Sequence, residues 1–118
     1  MDRLEIRTGI DLVHLEEFQD TLRAGGDAFL RRVFHPSESS GASLERLAGV
    51  FAVKEAAYKA LALPKGNWHM VEVRHTPEGR PSLVFAPEYD ASRIVSCDVS
   101  ISHHGGYVTA NVVALVRT

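Results

Sequence analysis

A single cysteine, Cys97, stands in the 118 residues, so an internal disulfide is excluded and a cysteine-rich zinc site cannot form. This fits a reducing compartment, and the expected location is cytoplasmic. No apolar run approaches the roughly 18 residues that suggest a membrane span. Met1-Asp2-Arg3-Leu4-Glu5 lacks the apolar stretch of a signal peptide. Neither charge sign dominates: 13 Lys and Arg against 15 Asp and Glu leave a net charge of −2, which speaks against a general nucleic-acid binder. Repeats, linkers and low-complexity tracts are also missing. What remains is a chain that is 45% apolar, long enough for one domain spanning residues 1–118 and too short for two.

Hydrophobic periodicity divides the chain into elements. Leu4 to Ile10 alternates as a half-buried strand does, and Leu12, Leu15, Phe18 and Leu22 then fall at helical spacing. Ala24-Gly25-Gly26 stops that helix, and Asp27 is placed to cap a second one carrying Phe29, Leu30, Val33 and Phe34. His35-Pro36 ends it, and 37–43 reads as a polar loop. The strongest helical pattern runs from Leu44 to Leu63, closed by Pro64. Strands follow at Met70–His75, Ser82–Phe85, Ile94–Ser102 and Tyr107–Arg117, with His103-His104-Gly105-Gly106 as a hairpin loop. The order predicts an α+β fold, with helices packed on a mainly antiparallel sheet.

Two acids stand out. Glu55 shares a helix face with Ala48, Phe51, Ala52 and Lys59, where a carboxylate is costly to desolvate without a partner. An i,i+4 pair with Lys59 is the simple reading. Asp11 sits between a strand and a helix, where an N-cap is the simple reading. Together a strand-end Asp and a helix-face Glu could hold one hard cation. Mg²⁺, completed by water and substrate phosphates, is the typical case.

Longer segments carry a more specific signal. Gly9-Ile10-Asp11-Leu12-Val13, the Phe29 to Glu38 segment with Arg31-Arg32, and Phe51-Ala52-Val53-Lys54-Glu55-Ala56-Ala57-Tyr58-Lys59-Ala60-Leu61 resemble successive motifs of the holo-acyl-carrier-protein synthases, the small 4′-phosphopantetheinyl transferases. Trp68 with Val71-Glu72-Val73, Gly79-Arg80-Pro81, and Val99-Ser100-Ile101-Ser102-His103 with Tyr107 and Ala110 continue the match in order over nearly the whole chain.

The resemblance implies transfer of 4′-phosphopantetheine from coenzyme A to a serine of an apo acyl carrier protein, in a homotrimer with active sites between subunits. It implies Mg²⁺ on Asp11 and Glu55, with Glu55 also able to take the serine proton through a water, and Lys59 on phosphate oxygens. Lys54 is expected near the nucleotide or on the Glu55 side. Ser100, Ser102 and His103 are expected in the coenzyme A cleft, although by their own pattern the two serines read as packing or hydrogen-bonding residues. Glu17, Arg31 and Arg32 are expected at the carrier-protein surface.

The sequence also departs from the family pattern. Val50 replaces an arginine, removing a bidentate phosphate donor. Asp98 replaces a histidine and adds negative charge that would repel a phosphate-rich ligand or, as the alternative, act as a third metal ligand. Glu16, Glu17 and Asp20 make the first helix acidic where the family's is basic. The alternative is therefore the same fold repurposed. It would act as an acid/base enzyme on a natural-product intermediate, with Asp98 paired to Glu55 or His103, or as a non-catalytic carrier-binding protein.

Overall fold

The alternation that begins at Leu4 does not stop at Ile10. In the computed structural model, which describes residues 3–118, strand β1 runs over Leu4–His14. It pairs antiparallel with β5 (Tyr107–Arg117), from Leu4 opposite Arg117 to His14 opposite Tyr107. Ladder hydrogen bonds outweigh the local helical spacing of Leu12, which stays in the strand. Asp11 therefore lies inside a strand, four residues along from Arg7 on the same face, and is not a helix cap. Strand β4 (Ile94–His104) pairs with the other edge of β5, giving a three-stranded sheet in the order β1-β5-β4. Its hairpin turn is Gly105-Gly106 alone, because both histidines pair within the ladder. Strands β2 (Val71–His75) and β3 (Pro81–Phe85) form a separate two-stranded sheet.

Helix α1 covers Leu15–Val33 and breaks at Gly26, where φ is 56° and ψ −149°. That conformation is open to glycine and strained for any residue with a Cβ. The expected stop at Gly25-Gly26 is thus a kink between two helical halves. The segment expected as a loop after His35 contains a short helix, α2 (Pro36–Ser39), with proline in its first turn and Glu38 accepting from the His35 backbone N–H at 2.7 Å. Helix α3 (Leu44–Ala60) is capped by Ser43, whose hydroxyl accepts from the Arg46 N–H. It ends three residues earlier than the pattern predicts. Leu61 turns extended so that Leu61 and Leu63 can enter the core. A 3₁₀ turn at Trp68–Met70 leads into β2.

The core lies between α3 and one face of the three-stranded sheet. Val108, Ala110, Val112, Ala114 and Val116 alternate along β5 toward α3, which answers with Ala48, Ala52, Ala56 and Ala60. Small residues on both sides let the helix lie close. Gly9 sets the limit: a Cβ there would fall 2.0 Å from the Ala56 carbonyl oxygen and 2.9 Å from Lys59 Cβ. The opposite sheet face carries Leu4, Ile6, Ile10 and Leu12 at 60–73% exposure. Among the described residues no helix is long and apolar enough to cross a membrane.

Candidate active site

The close contact at Gly9 decides which side chains of α3 and β1 meet. It brings the α3 face bearing Glu55 and Lys59 against the β1 face bearing Asp11. Lys59 Nζ donates to the Ile10 carbonyl at 2.7 Å and reaches Asp11 Oδ1 at 3.3 Å. Lys59 therefore pairs across to the strand, and the expected i,i+4 ion pair with Glu55 gives way to that contact. Thr109 Oγ1 donates to the Asp11 carbonyl at 2.8 Å and holds the backbone behind the carboxylate.

Asp11 and Glu55 line one cavity of about 350 Å³, together with His14, Glu17, Phe18, Thr21 and Phe51. Burial raises the pKa of Glu55 above the usual carboxylate range, and repulsion from Asp11 raises it further, while Lys59 opposes both. Two acids pushed toward each other are what a cation would relieve. The two carboxylates suit a hard ion, and the His14 imidazole lines the same cavity. Among the described residues no three His, Cys, Asp or Glu side chains gather to hold a metal. An ion here would need water or substrate oxygens to complete its shell, as Mg²⁺ ordinarily does.

The remaining expected residues divide among three other places. Lys54 has no exposed surface. Its ammonium meets Glu38 at 2.9 Å and the carbonyls of Val33, Trp68 and Val71 at 2.9–3.1 Å. This corrects the expectation that it reaches the nucleotide or the Glu55 side, because every donor it has is spent inside the protein. Burial lowers its pKa and Glu38 counters that shift.

Val50 and His103 line a second cavity of about 380 Å³ with Ser43, Arg46, His75, Gly49 and Ile101. Arg46 donates to His75 Nε2 at 2.7 Å, and burial together with the Arg46 charge lowers the pKa of His75. Ser100, Ser102 and Asp98 pair with Asn111, Thr109 and Val113 and so lie on the sheet face turned away from α3. They do not join Asp11 and Glu55 in this chain. Asp98 is bound to Arg80, whose guanidinium lowers the pKa of that carboxyl. The extra negative charge expected at Asp98 is thus largely neutralised.

Glu17 lines the first cavity, while Arg31 and Arg32 belong to the second half of α1, with Arg32 over the Phe29 ring. Sequence reasoning left out Glu38, Arg46 and Arg80. Glu38 closes the Phe29–Glu38 motif and Arg80 sits in Gly79-Arg80-Pro81, so both were within reach of the motif reading. Nothing in the sequence points to Arg46.

The sequence profile of the 4′-phosphopantetheinyl transferase superfamily matches residues 7–112. A holo-[acyl-carrier-protein] synthase of Frankia alni is 41% identical over 115 residues, covering 92% of this chain and 96% of that protein. The solved complex of the Chronobacterium ammoniagenes synthase with coenzyme A superposes with a TM-score of 0.80 at 31% identity, over 97% of this chain and 98% of that one. The Helicobacter pylori holo-[acyl-carrier-protein] synthase, also in complex with coenzyme A, gives 0.81 at 30% identity, over 94% and 99%. The α+β architecture, the order of motifs and the meeting of Asp11, Glu55 and Lys59 across Gly9 share one explanation: this chain belongs to the 4′-phosphopantetheinyl transferase superfamily and is an enzyme of that type.

Proposed function

We propose that this protein moves 4′-phosphopantetheine from coenzyme A to a serine hydroxyl of an apo acyl carrier protein, with Mg²⁺ held by Asp11 and Glu55. The carrying observation is the convergence of Asp11, Glu55 and Lys59 on one side of the β1–α3 contact. When bound, the cation would offset negative charge on the pyrophosphate and on the departing adenosine 3′,5′-bisphosphate. Lys59 binds a phosphate oxygen while its link to the Ile10 carbonyl fixes its direction. The serine oxygen forms a bond to the β-phosphorus, the bond from that phosphorus to the bridging oxygen breaks, and the bisphosphate leaves with the electron pair. Glu55 accepts the serine proton through a water. Phe18 and Phe51 supply apolar wall beside the reacting groups.

The exposed sheet face bearing Leu4, Ile6, Ile10 and Leu12 supports self-association, because a solvated apolar strip of this kind marks an interface, and the family resemblance makes the assembly a homotrimer. In that assembly the cavity of Arg46, Val50 and His103 serves the nucleotide end of coenzyme A bound at a neighbouring copy. A cytoplasmic setting agrees with the lone thiol of Cys97. The acid/base alternative built on Asp98 has little support, since Asp98 is tied to Arg80 and faces away from Glu55.

The test is calorimetric titration of coenzyme A with and without Mg²⁺, followed by mass spectrometry of an apo carrier protein. Mg²⁺-dependent binding that vanishes in Glu55→Gln, and a carrier heavier by one phosphopantetheinyl group, are expected. Binding indifferent to both Mg²⁺ and Glu55 would sink the proposal.

A further inference from the structure

Lys54 is next to Glu55 in sequence yet turned fully away from the cavity. Its ammonium is bound by Glu38 Oε1 and by the Val33, Trp68 and Val71 carbonyls. Glu38 is itself held from both sides. Its Oε1 accepts from the His35 N–H and its Oε2 from the Val73 N–H, each at 2.7 Å. One point on α3 is thereby tied to the end of α1, to α2, to the Trp68–Met70 turn and to β2. On another side of α3 the Ala56 carbonyl abuts Gly9 of β1 with no room for a Cβ.

A helix advances about 100° per residue, so Glu55 lies between these two anchors, about 100° from each. We propose that Lys54, held by Glu38, is a positioning residue: with the Gly9–Ala56 contact it fixes the rotation of α3 about its axis and so aims Glu55 at Asp11. The proposal rests on the reading of Asp11 and Glu55 as the Mg²⁺ ligands. A rotation of about 20° would sweep a side-chain tip at a radius of 5–6 Å through about 2 Å. Mg²⁺ keeps near-octahedral geometry at about 2.0–2.1 Å and tolerates no such displacement. Groups that hold metal ligands in place typically account for about 10–100-fold in metal affinity. Lys54 acts here through geometry; Glu38 already balances its charge.

The experiment is Mg²⁺ titration by calorimetry in the presence of coenzyme A, on the full chain and on the double variant Glu38→Gln with Lys54→Met. The double variant removes both buried charges together. Circular dichroism and a cooperative thermal transition establish that it folds. The expected result is a Mg²⁺ dissociation constant raised about 10–100-fold, with transfer activity recovering as Mg²⁺ is increased. A role in stability alone would lower the active fraction equally at every Mg²⁺ concentration and leave the dissociation constant where it was. A folded double variant with wild-type Mg²⁺ affinity overturns the proposal. If the double variant does not fold, Glu38→Gln with Lys54→Gln, which also removes both charges but keeps a short polar side chain near the Val33, Trp68 and Val71 carbonyls, is measured in the same way, and unchanged affinity there is equally fatal. Wild-type protein that shows no Mg²⁺-dependent coenzyme A binding removes the metal reading and this inference together. Wild-type binding with an unaltered variant removes only the positioning role.

Discussion

Two neighbours on α3 take opposite parts. Lys54 goes inward and Glu55 outward, and their sensitivities differ accordingly. Lys54→Met alone leaves the Glu38 carboxylate buried without its cation, a loss of about 3–5 kcal/mol that denaturant unfolding would measure. Glu55→Gln works the other way. A carboxyl whose folded pKa lies above its unfolded one binds protons more readily when folded, so its ionisation erodes stability as pH rises through the ordinary carboxylate range. Without metal, Glu55→Gln is therefore expected to unfold at a higher temperature than wild type at neutral pH, and the difference should close in acid. If the two acids hold Mg²⁺ as proposed, its affinity should weaken as pH falls through the carboxylate range, since the ion needs the ionised carboxylate. That Asp11, Glu55 and Lys59 come together was within reach of the motif resemblance. The Lys54–Glu38 and Arg80–Asp98 pairs were not, because each joins residues that only tertiary packing brings together.

Among the elements, strand pairing and glycine geometry govern the outcome. The end of β1 could not be read locally: Leu12 suits a helix by spacing, but ladder pairing with Thr109 holds it in the strand. The end of α3 was misplaced for a related reason, since Leu61 and Leu63 reach the core by leaving the helix. The β2–β3 and β4–β5 hairpins were readable because turn residues and alternation agree there. Two glycines provide tests. Gly26→Ala forces a Cβ into a conformation that costs about 1–3 kcal/mol, to be seen as a lowered unfolding midpoint with the cavity intact. Gly9→Ala must push α3 off β1, so coenzyme A binding should fall together with stability. A Gly9→Ala protein that binds coenzyme A normally would show that the contact is not needed to bring Asp11 and Glu55 together.

At the scale of the molecule, one sheet face is buried under α3 and the other is open. If that open face is the proposed subunit interface, replacing Ile6 and Ile10 with lysine should turn an oligomer into monomer in sedimentation velocity, while the far-ultraviolet spectrum stays unchanged. The alternation of Leu4, Ile6 and Ile10 reads as the buried side of a half-buried strand, but the chain leaves that side open, because α3 packs on the other side at Gly9 and Val13. The division of the expected site residues was beyond the sequence altogether. Motif order placed Glu55 and His103 in one site, whereas folding assigns them to different cavities of the chain.

That division has a genetic consequence. If each working centre borrows one half from a neighbouring copy, a chain disabled at Glu55 and a chain disabled at His103 are each inactive alone. Co-expressed, they should complement, since some mixed assemblies set the sound half of one chain against the sound half of the other. By the same logic, a chain spoiled in both halves would poison sound partners in a heterozygous cell.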